Sequence, residues 1–327
     1  MNTAQILVGD NRATLKTMPE QSVQTVVTSP PYWGLRDYGN DEQLGLESTP
    51  DEFIENLCQV FDEVWRVLKD DGTLWVNLGD SYAAFRDSKS SPDSLRTGDG
   101  TKVGTAANRN PAMLKQAGLK HKDLVGIPWR FAFAMQARGW YLRQDIIWAK
   151  PNPMPESVTD RCTKSHEYIF LLTKSARYFY DNEAIKEPAV TNGERPTLES
   201  RYAKGEPKRH GLQGAAFYGA GGFGVDENGS RNKRDVWTVA TKPYSGAHFA
   251  VYPPELIKPC ILAGSREGDT VLDPFSGSGT TGEVALQNGR NYIGLELSAD
   301  YAALSESRIT NAVGMFGSVE LKTDLLE

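Results

Sequence analysis

Apolar residues in this chain fall into short runs separated by longer amphipathic stretches. Strand-like runs occupy residues 5–8, 23–27, 73–78, 143–148, 168–172, 270–272 and 291–295. Residues 51–68 read differently: Phe53, Ile54, Leu57, Val60, Phe61, Val64 and Leu68 recur at helical spacing. Thr49-Pro50 supplies a start signal and Gly72 lies just past the end, so this segment predicts a helix. Residues 123–137 and 280–288 predict two more, the latter stopped by Gly289. Strands alternating with helices predict an α/β fold around a mainly parallel sheet.

Two segments break this rhythm. Residues 83–120 are rich in Ser, Gly, Asn and Lys, and residues 186–245 carry glycines interleaved with Phe217, Tyr218 and Phe223. Long irregular segments inside a compact chain point to function or disorder. The chain is acidic overall, with a formal charge of −6 over 327 residues. Yet residues 85–122 hold eight Lys/Arg against three Asp/Glu, and residues 195–234 hold eight against four. Two basic stretches in an acidic chain predict surfaces that meet an anionic partner. Cys58, Cys162 and Cys260 are an odd, scattered set and the four histidines are scattered too. This predicts reduced thiols in a cytoplasmic setting and no metal site. No apolar run reaches the ~18 residues of a membrane span, and the first residues lack signal-peptide character.

Residues 28–32 read Thr-Ser-Pro-Pro-Tyr directly after a strand-like run. Two prolines fix two φ angles and remove two N–H donors, and Ser29 is pushed toward an extended backbone by the proline after it. The plain reading is a strand ending in a stiff turn with Tyr32 on the core. The functional reading is a rigid site with free carbonyl oxygens, a hydroxyl at one end and an aromatic face at the other. Such a site accepts hydrogen bonds from a planar amine and stacks on its ring.

A second motif lies near the other end. Residues 269–282 run from a short strand through Asp273-Pro274-Phe275-Ser276-Gly277-Ser278-Gly279-Thr280-Thr281-Gly282 into a helix. Gly277, Gly279 and Gly282 give the G-x-G-x-x-G spacing, and Glu296 ends the next strand, about 20 residues on. Glycines let a ligand approach the backbone, the helix N-terminus offers N–H groups, and the carboxylate suits a ribose diol. No Lys follows the glycines, so this is not a phosphate-binding P-loop. A dinucleotide and S-adenosylmethionine both fit. The dinucleotide reading expects the fingerprint early in the chain, whereas here room remains for little more than one further strand and helix. Both motifs end strands, so both are expected at one edge of one sheet although about 240 residues separate them.

Taken together the motifs resemble those of the DNA amino methyltransferases, in the order of the permuted beta group of that family. The resemblance implies a circularly permuted Rossmann-like methyltransferase sheet with inserted DNA-recognition segments. It places the strands at 270–272, 291–295, 5–8 and 23–27 first to fourth. It implies a catalytic half at 1–82 and 121–185, an inserted basic loop at 83–120, a target-recognition region at 186–245 and a cofactor-binding half at 246–327. The implied activity is methyl transfer from S-adenosyl-L-methionine to the exocyclic amine of a flipped base in double-stranded DNA. Ser29, Pro30, Pro31 and Tyr32 carry catalysis in this reading. Asp10, Asp273, Phe275, Gly277, Ser278, Gly279, Thr280, Thr281 and Glu296 carry the cofactor, the plain reading of Asp10 being a turn residue that caps the following helix. Phe249 or Pro254 would line the methionine end, residues 33–38 would close over the base, and Trp148, Lys150 and residues 151–155 would form a wall. Arg161 and Ser165-His166-Glu167 resemble a late family motif, with His166 either structural or catalytic, and Asp80 either binds or caps. Ser29 resembles the cytosine-N4 members, where adenine-N6 members usually carry Asp, and a hydroxyl can also donate to a ring nitrogen. Adenine-N6 transfer is the alternative; a nicotinamide oxidoreductase, a DNA-binding protein with a decayed site, and an RNA substrate are more distant ones. A cognate restriction enzyme and a homodimer are compatible partners; no membrane or metal is expected.

Overall fold

The computed structural model describes residues 2–35, 40, 42–83, 114–115, 117–189, 229–241, 252–314 and 317–323. Most of the two basic segments, residues 36–39 of the expected closing loop, and Phe249 lie outside the described residues. The chain divides into a main unit, Met1–Tyr180 with Asp235–Glu327, and a second unit, Asp181–Arg234.

The main unit is built on a nine-stranded sheet. In chain order its elements are β1 (Asn2–Val8), α1 (Asn11–Thr17), β2 (Val23–Thr28), α2 (Pro50–Val67), β3 (Leu68–Leu78), α3 (Ile127–Ala137), β4 (Tyr141–Ala149) and β5 (His166–Thr173). In the second unit, β6 (Glu187–Pro188) and β7 (Ser230–Arg231) form an antiparallel pair, and Glu187 receives both Arg231 and Arg234. The main unit resumes with β8 (Val236–Thr238), α4 (Pro254–Gly264), β9 (Thr270–Asp273), α5 (Thr280–Gln287), β10 (Asn291–Glu296), α6 (Ala299–Val313) and β11 (Gly317–Lys322).

The strand order is β11-β1-β10-β9-β2-β3-β5-β4-β8. Pairing is parallel from β11 through to β3, and β5 alone runs against its neighbours β3 and β4. The strands expected as third, second, first and fourth therefore lie side by side as β1, β10, β9 and β2. Between β9 and β2 the connections diverge, β9 leading to β10 on one side and β2 to β3 on the other. That is the switch point at which open α/β sheets hold ligands beyond the carboxyl ends of the strands. β8 joins the sheet beside β4, so residues 236–238 belong to the sheet although they fall in the segment expected to be irregular.

Burial explains the long elements. Every residue of β2 is buried, as a central strand covered on both faces requires. α2 buries Phe53, Ile54, Leu57, Cys58, Val60, Phe61, Val64 and Val67 along one stripe. Its start is fixed by the Thr49 hydroxyl, which accepts from the Glu52 N–H at 3.2 Å, and by Pro50 in the first turn. α4 closes on the sheet at Gly264. A Cβ there would lie 2.4 Å from Thr73 Oγ1 and 2.5 Å from Thr25 Oγ1, two hydroxyls already bonded to each other at 2.9 Å. Gly264→Ala is therefore expected to lower unfolding free energy by roughly 1–3 kcal/mol through overpacking. Urea unfolding followed by tryptophan fluorescence measures it, and an unchanged midpoint would contradict this packing.

Candidate active site

Four adjacent strands deliver their ends to one cleft. β1 leads to Gly9, Asp10 and Asn11; β2 leads to Ser29, Pro30, Pro31 and Tyr32. β9 leads to Phe275, Gly277 and Ser278, and β10 ends in Glu296, with Leu297 and Ser298 beyond. Asp10, Ser29, Pro30, Pro31, Tyr32, Phe275, Gly277, Ser278, Thr280 and Glu296 all line this cleft. Asp273, Gly279 and Thr281 do not line it. Asn11 ties two of the loops together, its Nδ2 donating to the Pro274 carbonyl at 3.0 Å.

Asp273 is instead buried, 1% exposed, and its carboxylate is filled by donors from the surrounding elements. Thr28 Oγ1 donates at 2.6 Å, Thr281 Oγ1 at 2.6 Å, the Phe275 N–H at 3.0 Å and the Tyr252 hydroxyl at 3.2 Å. Burial pushes its carboxyl up, and these donors oppose the shift. Tyr252 was not found by sequence; its one proton is shared between Asp273 and the neighbouring Thr281 hydroxyl, and it lines the cleft where Phe249 or Pro254 was expected. Pro254 begins α4 and does not line the cleft.

Gly279 is the N-cap of α5 in the left-handed region, φ 79°. A Cβ there would fall 2.3 Å from Ser305 Oγ, so only glycine permits this turn against α6. Arg308 of α6 holds the same turn, its Nη1 donating to Ser278 Oγ at 3.1 Å and Thr280 Oγ1 at 2.8 Å. Glu296 faces the loop from β10. Its carboxylate accepts from the Gly277 N–H at 2.8 Å and the Ser298 N–H at 3.0 Å. Burial nevertheless pushes its carboxyl up to about 7. Asp10 does two things at once: it caps α1 through the Arg12 N–H at 2.9 Å and it lines the cleft.

Tyr32 is anchored by partners that no local pattern announces. Its hydroxyl donates to Glu167 Oε2 at 2.7 Å, and Glu167 Oε1 receives the Lys150 ammonium. Burial and the Glu167 charge push Tyr32 well above the usual phenol range. Gly79 makes room for the ring, since a Cβ there would lie 2.6 Å from Tyr32 Cε2. Lys150 also sits 4.2 Å from the ring centroid of Trp148. His166 does not line the cleft; its ring packs edge-on against Tyr168, and burial lowers its pKa. Asp80 is a cap. Its carboxylate accepts from the N–H groups of Gly126 and Ile127 at the start of α3, whose N-cap glycine has no side chain to do so. Arg161 stacks on Tyr82 at 3.8 Å and pairs with Glu156.

A sequence model of the DNA methylase family, covering the N6 and N4 methylases, matches residues 23–307. The chain belongs to the DNA methylase family. Among its curated relatives, the Type II methyltransferase M.Cfr9I of Citrobacter freundii is 46% identical, over 94% of this chain and 88% of that one. M.SmaI of Serratia marcescens, also a Type II methyltransferase, is 46% identical over 94% of this chain and 91% of that one. Among solved structures, one from Thermus thermophilus, provisionally named a DNA modification methylase and complexed with S-adenosyl-L-methionine, gives a TM-score of 0.57. It is 25% identical, covering 98% of this chain and 99% of that one. The cytosine-N4-specific PvuII DNA methyltransferase gives 0.59 at 19% identity, over 98% and 95%. This methylase thus shares the fold of known DNA methyltransferases, and the nicotinamide reading of its glycine loop is set aside.

The buried carboxylate of this methylase yields a test. Asp273→Ala leaves the Thr28 and Thr281 hydroxyls and the Tyr252 hydroxyl without their acceptor. A loss of about 3 kcal/mol in unfolding free energy is expected. Denaturant titration measures it; a loss below ~1 kcal/mol would show that these groups re-pair among themselves.

Proposed function

We propose that this methylase transfers a methyl group from S-adenosyl-L-methionine to the exocyclic amino group of a base flipped out of double-stranded DNA, cytosine N4 being favoured. The observation that carries the reading is the single cleft shared by Ser29-Pro30-Pro31-Tyr32 and by Gly277, Ser278 and Glu296. The lining residues fit the donor molecule. Glu296 accepts only backbone N–H groups and retains lone pairs for a ribose diol. Gly277 and Ser278 bring backbone close to the methionine end, and Asp10 and Tyr252 close the flanks.

The donor supplies a strongly electrophilic sulfonium methyl, so the protein's work is positioning. An exocyclic amine is a weak nucleophile because its lone pair is delocalised into the ring. Ser29 Oγ and the Pro30 carbonyl accept the two amino hydrogens and draw that nitrogen toward tetrahedral geometry. The prolines hold both acceptors stiffly and Tyr32 offers its ring to the base. The preference for cytosine rests on the Ser-Pro-Pro-Tyr motif itself. Adenine N6 stays the alternative target. The proposed setting is cytoplasmic, where the free Cys58, Cys162 and Cys260 stay reduced. A cognate restriction enzyme is the proposed partner, in keeping with the Type II relatives.

Incubation with plasmid DNA and S-adenosyl-L-methionine, digestion to nucleosides and mass spectrometry should reveal N4-methylcytosine. N6-methyladenine would move the target to adenine, and no methylated nucleoside would sink the reading. Ser29→Ala should lower kcat about a hundredfold, with cofactor affinity changed less than about threefold.

The elevated Glu296 group gives a pH test. A carboxyl raised from 4.5 to about 7 holds its proton in the fold below that value. Its contribution to stability falls as pH rises from 4.5 to 7, while the ionised form needed to accept the ribose hydroxyls fills over the same range. Cofactor affinity measured by calorimetry should therefore tighten from about pH 6 to about pH 8. Glu296→Gln should bind weakly at both and show no such slope; a slope surviving in Glu296→Gln would assign the titration elsewhere.

A further inference from the structure

The glycine turn between β9 and α5 carries four hydroxyls, at Ser276, Ser278, Thr280 and Thr281, and the fold uses them in two ways. Ser276 Oγ bonds the Tyr292 hydroxyl at 2.9 Å, and Thr281 Oγ1 donates to Asp273 at 2.6 Å. Those two are spent inside the protein. Ser278 and Thr280 are also buried, 5% and 2% exposed, but the partner of both hydroxyls is Arg308 of α6. Its Nη1 carries two hydrogens and donates to Ser278 Oγ at 3.1 Å and to Thr280 Oγ1 at 2.8 Å. Its Nε pairs with Glu283 of α5 at 2.5 Å, which fixes the guanidinium against the turn.

A guanidinium donates and never accepts. Each of these hydroxyls therefore receives a hydrogen from Arg308 and keeps its own proton, for which no acceptor stands among the described residues. Burying an unused hydroxyl proton is costly, and both residues line the cleft, so the cleft is where an acceptor can meet them. The neighbouring backbone cannot take over this work. The Gly277 N–H is spent on Glu296 at 2.8 Å and the Gly279 N–H on the Ser276 carbonyl at 2.9 Å. The N-terminus of α5 adds its positive end, and its N-cap glycine has no side chain to cover the first turn.

We propose that Arg308 is a positioning residue that turns the Ser278 and Thr280 hydroxyl protons into the cleft, where they hold the carboxylate of S-adenosyl-L-methionine. This rests on the reading of the glycine turn as the seat of that molecule's methionine end. The carboxylate is its one anionic group. Its amine and sulfonium are cations and give these protons no acceptor, and its ribose diol suits Glu296 on the other wall. A donor molecule lacking the carboxylate would leave both hydroxyls unmet.

Calorimetry on the full-length protein tests this with S-adenosyl-L-methionine and with its decarboxylated form, which keeps the adenosine, the sulfonium and the amine. The readout is the ratio of the two affinities, carboxylated over decarboxylated, which a general loosening of the cleft does not move. Wild type should favour the carboxylated compound by about tenfold or more. In Arg308→Met the ratio should fall at least about fivefold, with affinity for the decarboxylated form within about threefold of wild type. Ser278→Ala combined with Thr280→Ala should lower the ratio to a similar extent. Adding Arg308→Met to that pair should lower it less than about twofold further, because Arg308 acts through the two hydroxyls. A wild type that binds both compounds equally overturns the proposal, as does an unchanged ratio in Arg308→Met. So does a full fivefold further fall in the triple variant. Should Arg308→Met fail to fold, the hydroxyl pair decides, and an unchanged ratio there overturns the proposal as well. A wild type that binds neither compound overturns the underlying reading of the glycine turn instead.

Discussion

One buried carboxylate joins the two ends of this chain. Asp273 closes β9, and the Thr28 hydroxyl that it receives lies 245 residues away at the end of β2. The other donors come from α5, from the turn after β9 and from the segment before α4. An ionised carboxylate without partners is among the least tolerable groups in a protein interior, so each donor is held to its place. Thr28 is the residue before Ser29, and Thr281 is the second residue of the helix that follows the glycine turn. The bond lengths on Asp273 therefore set the spacing between the glycine loop after β9 and the Ser29–Tyr32 loop after β2. Without this knot, two stiff motifs would share a sheet edge and little else.

What could be read from sequence follows from how local each signal is. Proline, glycine and period-3.6 patterns act within a few residues, so Ser29–Tyr32, the turn at Gly279 and the stripe of α2 were all legible. Strand ends were less so. β3 begins at Leu68 directly where α2 stops, because Val23 of β2 pairs with Leu68, while Asp70, Asp71 and Gly72 conceal that extension from any apolar pattern. α6 buries Ala302 and Ser305 beside Ile309, a face too weak in contrast to announce a helix. β11 is an edge strand of mostly polar residues whose strand partner is β1. Tyr252, Gly79 and Arg308 act on the site through contacts across the fold, for which a single sequence carries no local mark.

The partners also decided roles that the sequence left open. Asp10 both caps and lines, because the turn after β1 puts one carboxylate oxygen on the Arg12 N–H of α1 at the mouth of the cleft. Asp80 caps because Gly126 cannot. In the Ser165-His166-Glu167 triplet, alternation along β5 sends Glu167 toward Tyr32 and leaves His166 on the opposite face of the strand, against Tyr168. A late motif that drew attention for its histidine thus contributes its glutamate.

Three carboxylates at this edge of the sheet, one buried and two half-buried, differ less in chemistry than in what already occupies them. Asp273 is filled by three side-chain hydroxyls and a backbone N–H, so nothing more can bind there, and it serves the fold. Glu167 is filled by an ammonium and a phenol, and its charge is balanced. Among the described residues, Glu296 receives the backbone N–H groups of Ser298 and Gly277 and no cation. Its charge is the least compensated of the three, which is why burial raises it to about 7. The same deficit leaves it with lone pairs facing the cleft. A carboxylate that is buried, under-satisfied and open to a pocket invites a ligand with paired hydroxyl donors. Counting the donors on each oxygen thus separates the group that is filled within the fold from the group that keeps lone pairs open to the cleft.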